Sequence, residues 1–166
     1  FLALEARNGC PFHHVHAAGV VGSRQMAEYL ATAGVDLSKL PDLEVREYIH
    51  DMGTLMRAAD LVICRAGAST ISELTALGVP AIIVPSPNVT HNHQEHNARV
   101  LSDAGGAVLM LEQDSSGQKL YDTACSILSD DSRRASMSQA MASLGVIDAA
   151  EQIYAAVMSL VRRGTE

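Results

Sequence analysis

Three stretches of this chain hold residue types that could do chemistry on a ligand. The first is Arg65-Ala66-Gly67-Ala68-Ser69-Thr70-Ile71-Ser72-Glu73-Leu74, small residues between an apolar run and a helical pattern. Small side chains let the backbone come close to a ligand. The helix start that follows offers free N–H groups and the positive end of a dipole, which suits a phosphate. The stretch lacks the Gly-Lys-Ser/Thr ending of a P-loop and has no Gly-x-Gly-x-x-Gly fingerprint. Other strand-to-helix turns also use small residues, so phosphate binding stays one of two readings. Glu73 likewise has two. Thr70-Ile71-Ser72-Glu73 fits a capping box, in which the carboxylate reaches back to the cap N–H. A carboxylate there could instead accept hydrogen bonds from ribose hydroxyls, as an acid near a strand end does in dinucleotide folds.

The second stretch is the most polar loop, Asn88-Val89-Thr90-His91-Asn92-His93-Gln94-Glu95-His96-Asn97. His91, His93 and His96 raise a metal hypothesis, but His-x-His-x-x-His is not a zincin spacing and no acid-rich companion or Cys-x-x-Cys supports it. Neutral Asn, Gln and His together suit the reading of several sugar hydroxyls. The plain alternative is a helix start with a solvated face. The chain also has no Asp-x-Asp triplet to hold a metal-bridged diphosphate. A diphosphate here would be met by helix dipoles and backbone N–H groups. The third stretch is Tyr48-Ile49-His50-Asp51-Met52, at the end of a strand-like segment.

The elements that must position these loops follow from period and punctuation. Leu61-Val62-Ile63-Cys64 and Ala81-Ile82-Ile83-Val84 are continuous apolar runs, as expected of strands buried on both faces of a parallel sheet. Leu43-Glu44-Val45-Arg46-Glu47-Tyr48-Ile49 and Ala107-Val108-Leu109-Met110 read as further strands. Helical patterns lie between them. One follows Ser23 through Met26 and Leu30 to a stop at Gly34, and Asp51 is placed to cap one over 52–59. Another is reached through Arg65-Ala66-Gly67-Ala68 and ends at Gly78, and others cover about 93–104 and fill 117–129, 132–143 and 149–163, the last with a capping pattern at Asp148-Ala149-Ala150-Glu151. Alternating strands and helices predict an α/β fold with an open, doubly wound parallel sheet. Its ligand belongs outside the carboxyl ends of the strands, where all three stretches fall.

Composition bounds the rest. With 166 residues, 48% hydrophobic and 19% charged, the chain reads as one domain, residues 1–166, with enough apolar surface for a core. No run approaches the roughly 20 apolar residues that span a bilayer. A net charge of −7 argues against a nucleic-acid partner or an anionic membrane surface for this portion. Cys10, Cys64 and Cys125 are far apart and make no disulfide framework, which suits a reducing cytoplasm; Cys64 reads as a small core hydrophobe. The opening Phe1-Leu2-Ala3-Leu4-Glu5-Ala6-Arg7 has no basic leader and reads as the tail of a helix, so the chain is expected to be part of something larger.

Taken together, residues 59–74 resemble the signature of the MurG family, bacterial transferases that add N-acetylglucosamine to lipid I. Further matches follow in Leu77-Gly78-Val79-Pro80-Ala81, Val84-Pro85-Ser86-Pro87, His93-Gln94-Glu95-His96-Asn97-Ala98, Tyr48-Ile49-His50-Asp51-Met52 and His16-Ala17-Ala18-Gly19. The resemblance runs from about residue 12 to the end. It implies the Rossmann-like, donor-binding C-terminal half of a two-domain GT-B enzyme. Ile49 would meet the uracil of UDP-N-acetylglucosamine through its backbone, with Met52 lining the pocket. Ser69 and Thr70 would face the diphosphate, Glu73 the ribose, and His93, Gln94 and Asn97 the sugar. With the resemblance, the ribose role of Glu73 becomes the favoured one, alone or together with a cap. No cofactor or metal is implied.

The family's C-terminal half normally opens with a strand and a Gly-Gly-Ser-x-Gly loop, neither of which occurs in this sequence. The catalytic base, the lipid I acceptor site and the membrane-docking surface are expected outside it. The whole enzyme would sit on the cytoplasmic face of the plasma membrane. The family often has Gln where this chain has His93. Two other readings use the same donor site: a subunit of a eukaryotic dolichol-linked N-acetylglucosamine transferase, and a non-catalytic nucleotide-sugar binding module. A hydrolysing UDP-N-acetylglucosamine 2-epimerase would need an acidic cluster that the sequence lacks.

Overall fold

Strands form where apolar and β-branched residues run together, and each is followed by a helix. The computed structural model describes residues 1–9 and 11–163, so Cys10 of the sequence reading lies outside the described residues. The strands are β1 (His14–Ala17), β2 (Leu43–Arg46), β3 (Val62–Cys64), β4 (Ala81–Ile83) and β5 (Ala107–Leu109). The helices are α1 (Leu2–Arg7), α2 (Gly19–Thr32), α3 (Met52–Ala58), α4 (Ala68–Leu77), α5 (His93–Asp103), α6 (Gly117–Leu128), α7 (Asp131–Ala142) and α8 (Ala149–Arg163). Every strand pairing is parallel, as expected of strands joined by helical crossovers.

The expected single sheet is divided. β1 pairs only with β2, and β3, β4 and β5 form a second sheet in that order, among the described residues. β1 had no apolar run to announce it, because two of its residues are His14 and His16. β2 stops at Arg46 rather than Ile49, since Glu47 and Tyr48 leave the ladder and Ile49 turns into the core.

Side chains of β4 alternate between two cores. Ala81 and Ile83 join Met56, Leu74, Leu101 and Met141 on one face. Ile82 joins Met110, Ala124, Ile127 and Met137 on the other. The three-stranded sheet is therefore covered by helices on both faces, which is why its strands read as continuous apolar runs. A third cluster of Leu2, Leu30 and Leu43 holds the smaller sheet, and Phe1 packs against both this cluster and the α6 side of the larger sheet. Cys64 is partly buried against the first core, and burial pushes its thiol up to about 11, so it behaves as the core hydrophobe expected.

Helix ends explain the orientation of the loops. Gly78 ends α4 at φ 67°, with its own N–H on Thr75 and that of Val79 on Leu74, a left-handed cap that favours glycine. Ser116 and Asp130 cap α6 and α7 through bonds from the Lys119 N–H (3.1 Å) and the Arg133 N–H (2.9 Å). By contrast α2, α3, α4 and α5 have no side-chain cap bond, and Asp51 occupies the cap position of α3 without making one. No helix among the described residues is long and apolar enough to cross a membrane.

The inner face of α1 buries a charged side chain. Glu5 is fully buried; its Oε2 meets His14 Nδ1 at 2.8 Å, and Oε1 has no partner among the described residues. His14 and His16 share one side of β1, with ring centroids 5.8 Å apart. Burial lowers the pKa of His16 below its ordinary value, the neighbouring His14 adds to this, and Glu5 opposes it. The fold thus prefers a neutral His16. Once pH falls below about 6.5, the unfolded chain takes up a proton that the fold resists, so stability falls. Melting temperatures taken from about pH 7.5 to about 5.5 should drop less in His16→Gln than in the unchanged protein. Equal slopes would contradict this.

Candidate functional site

Of the residues singled out in the sequence, Met52 and Glu73 share one cleft, which Ser69, Thr70, His93, Gln94 and Asn97 do not line. An open cleft of about 600 Å³ lies between α3 and α4, lined by His50, Asp51, Met52, Arg57, Glu73 and Leu77 among others. It brings Met52 and Glu73, which are 21 positions apart, onto one surface. Ile49 is 7% exposed, so its side chain belongs to the core and only its backbone could serve a ligand. Its neighbours Tyr48 and His50 hold their rings edge to face at 4.9 Å.

The start of α4 differs from the capping-box reading. Gly67, not Thr70, is the cap residue, and the first helical bond runs from the Ile71 N–H to the Gly67 carbonyl at 3.0 Å. Thr70 is therefore inside the first turn and Glu73 sits a turn further on, too far along to reach back to a cap N–H. The small residues move the start forward, since Gly67 in an extended conformation (φ −66°, ψ 143°) leads directly into Ala68. Two consequences follow. The N–H groups of Ala68, Ser69 and Thr70 have no partner within the helix. Glu73 is exposed on the cleft with no hydrogen bond to a described residue.

At the other side of the strand ends, α5 opens at His93. Asn92, at φ 50°, is the only non-glycine with positive φ among the described residues, and its Nδ2 donates to Glu95 Oε2 at 2.7 Å. His93 Nδ1 lies 2.8 Å from the Thr90 carbonyl. A carbonyl only accepts, so Nδ1 is the donor in this contact. Gln94 Oε1 accepts from the Ser86 N–H (3.0 Å) and the Ala66 N–H (3.3 Å). Asn97 Nδ2 donates to the Ala66 carbonyl at 3.4 Å. Gln94 and Asn97 thus hold protein backbone, a task that the sugar-reading expectation did not include.

Arg65 was not singled out by sequence. Its Nη1 donates to the carbonyls of Val84 (3.1 Å) and Pro85 (3.2 Å) and meets the Glu112 carboxylate. It ties together the segments that follow β3, β4 and β5. A cation directly after a buried strand was the available signal. Among the described residues no group of three His, Cys, Asp or Glu could hold a metal; the side chain of His91 lies outside the described residues.

Residues 3–153 match the glycosyltransferase family 28 C-terminal domain. The chain belongs to this family. The resemblance noted in the sequence extends to its curated relatives. One is the UDP-N-acetylglucosamine–N-acetylmuramyl-(pentapeptide) pyrophosphoryl-undecaprenol N-acetylglucosamine transferase of Desulforudis audaxviator (strain MP104C). It is 43% identical over 150 residues, 90% of this chain and 40% of the relative. The transferase of the same name from Acetivibrio thermocellus is 46% identical over 124 residues, 75% of this chain and 34% of the relative. The chain therefore spans well under half the length of these relatives. The crystal structure of Acinetobacter baumannii MurG superimposes with a TM-score of 0.71 at 25% identity, over 87% of this chain and 40% of that one. Glycosyltransferase VinC in complex with dTDP shares the fold, with a TM-score of 0.56 at 19% identity over 69% of this chain and 27% of that one. The chain thus shares its α/β fold with these glycosyltransferases, the fold class that the motifs implied.

Proposed function

We propose that this family 28 domain binds UDP-N-acetylglucosamine for an inverting transfer to lipid I, which yields lipid II and UDP. The observation that carries the reading is the placement of Met52 and Glu73 on one cleft, with Glu73 on the same helix, α4, whose start carries no side-chain cap. On this reading the free N–H groups of Ala68, Ser69 and Thr70 meet the diphosphate, supported by the helix dipole. Glu73 accepts from the ribose, and the Ile49 backbone and Met52 face the uracil. His93, Gln94 Nε2 and Asn97 face the sugar.

The chemistry follows from that placement. The C4 hydroxyl of the acceptor attacks the anomeric carbon, the bond to the diphosphate oxygen breaks, and charge grows on the departing UDP. Fixed N–H dipoles aimed at that charge stabilise the transition state without a metal. The proton of the attacking hydroxyl must go to a base, and none of the residues around the cleft is placed here in that role. Chelation with EDTA is therefore expected to leave UDP binding unchanged. A loss restored by Mn²⁺ would overturn this part of the reading.

We assign the whole of residues 1–166 to one nucleotide-sugar binding domain of a larger two-domain enzyme that works on the cytoplasmic face of the membrane. Two features support that assignment. Beside the pairs β2-β1 and β3-β4-β5, one further parallel strand between β1 and β3 would complete the doubly wound order. On α8, Ile153, Tyr154, Val157 and Leu160 form an exposed apolar stripe of the kind that covers a neighbouring domain. The test is transfer by the full-length protein. Labelled N-acetylglucosamine should move from UDP to lipid I and not to a dolichol-linked acceptor. UDP release or epimerisation without any lipid acceptor would overturn the assignment.

A further inference from the structure

We propose that Gln94 and Asn97 are positioning residues that set the start of α4, and so couple the sugar end of the ligand site to its diphosphate end. The inference rests on the donor-binding reading above and adds to it a task for the same side chains. Ala66 is 0% exposed and belongs to neither a strand nor a helix. Its backbone N–H and carbonyl are shut off from water and need partners within the fold. Both partners come from α5: Gln94 Oε1 takes the N–H at 3.3 Å, and Asn97 Nδ2 supplies the carbonyl at 3.4 Å. The same Gln94 oxygen takes the Ser86 N–H at 3.0 Å. One side chain thus joins the loops that leave β3 and β4.

Only Gly67 separates Ala66 from the first turn of α4. The seat of α5 therefore fixes where the N–H groups of Ala68, Ser69 and Thr70 point. That seat is in turn held by the left-handed turn at Asn92 and its bond to Glu95. Because its oxygen is committed to backbone, Gln94 can offer a ligand only its Nε2 donor. A sugar that draws on that donor pulls on the same side chain that holds Ala66. Sugar and diphosphate are then sensed through one amide.

UDP lacks the sugar and separates the two roles. A residue that only reads the sugar has no effect on UDP affinity. A positioning residue weakens UDP as well. In calorimetric titrations of the full-length protein, Gln94→Leu is expected to lower UDP affinity about five- to twentyfold, the scale of one or two lost hydrogen bonds. UDP affinity unchanged within about twofold, with UDP-N-acetylglucosamine alone weakened, would overturn the inference. Failure of the unchanged protein to bind UDP would instead overturn the donor-binding reading and the inference with it. Should Gln94→Leu not fold, amide hydrogen exchange in the unchanged, ligand-free protein decides. The Ala66 and Ser86 amides are expected to exchange slowly, and exchange as fast as that of an open loop would overturn the proposal.

Discussion

Glu73→Gln should weaken UDP binding by roughly ten- to a hundredfold while leaving the melting temperature almost unchanged, because charge-assisted bonds to ribose hydroxyls contribute about 1.5–3 kcal/mol. The structure sharpens this expectation by removing the competing task. With Gly67 as the cap residue, Glu73 caps nothing, and its carboxylate stands exposed on the cleft. The Gln side chain keeps the shape and loses the charge. Thr70→Ala, which would cost stability if Thr70 were a cap, is now expected to be near neutral for folding, since Ala is the better residue inside a helix turn. Calorimetric titration with UDP and a thermal melt on both variants provide the check. UDP affinity that does not change in Glu73→Gln would remove the ribose role.

The neighbouring residue gives the opposite pattern. Leu74 points to the other side of α4 and is 0% exposed in the first core, among Met56, Leu101 and Met141. Leu74→Ala is expected to cost about 2–5 kcal/mol, through lost burial and the cavity left behind. For a domain of this size that lowers the melting temperature by about 5–15 °C. Well below the transition, UDP binding should persist, since no atom of the Leu74 side chain lines the cleft. Chemical denaturation measures the first part. A loss under about 1 kcal/mol would contradict the packing described for α4. Adjacent positions on one helix would then report separately on ligand and on core.

What the sequence made legible was governed by burial. β3 and β4 are covered on both faces and showed as apolar runs. β1 carries His14, which meets Glu5, and His16 beside it, a polar arrangement that no periodicity announces. The helices were found with small shifts at their ends, and α2 starts at Gly19 rather than after Ser23, because the Gly19 N–H is held by the Glu47 carbonyl at 3.0 Å. In the candidate site, the loops were identifiable from small and polar residues alone. The partners of those residues were not. Gln94 and Ala66 are 28 positions apart and Arg65 and Val84 are 19 apart, and only the fold brings each pair within bonding distance. The cap of α4 was misplaced for a simpler reason: Thr70-x-x-Glu73 satisfies the residue pattern of a capping box, while Gly67 begins the helix earlier with no side chain to mark it.

Amide hydrogen exchange of the full-length protein, with and without UDP-N-acetylglucosamine, tests the donor site most directly. The account expects slowed exchange in residues 48–54 and 67–73, the segments that carry the cleft residues Met52 and Glu73 and the open start of α4, with further slowing at the start of α5. Slowing confined to other segments, or no change at saturating ligand, would contradict it.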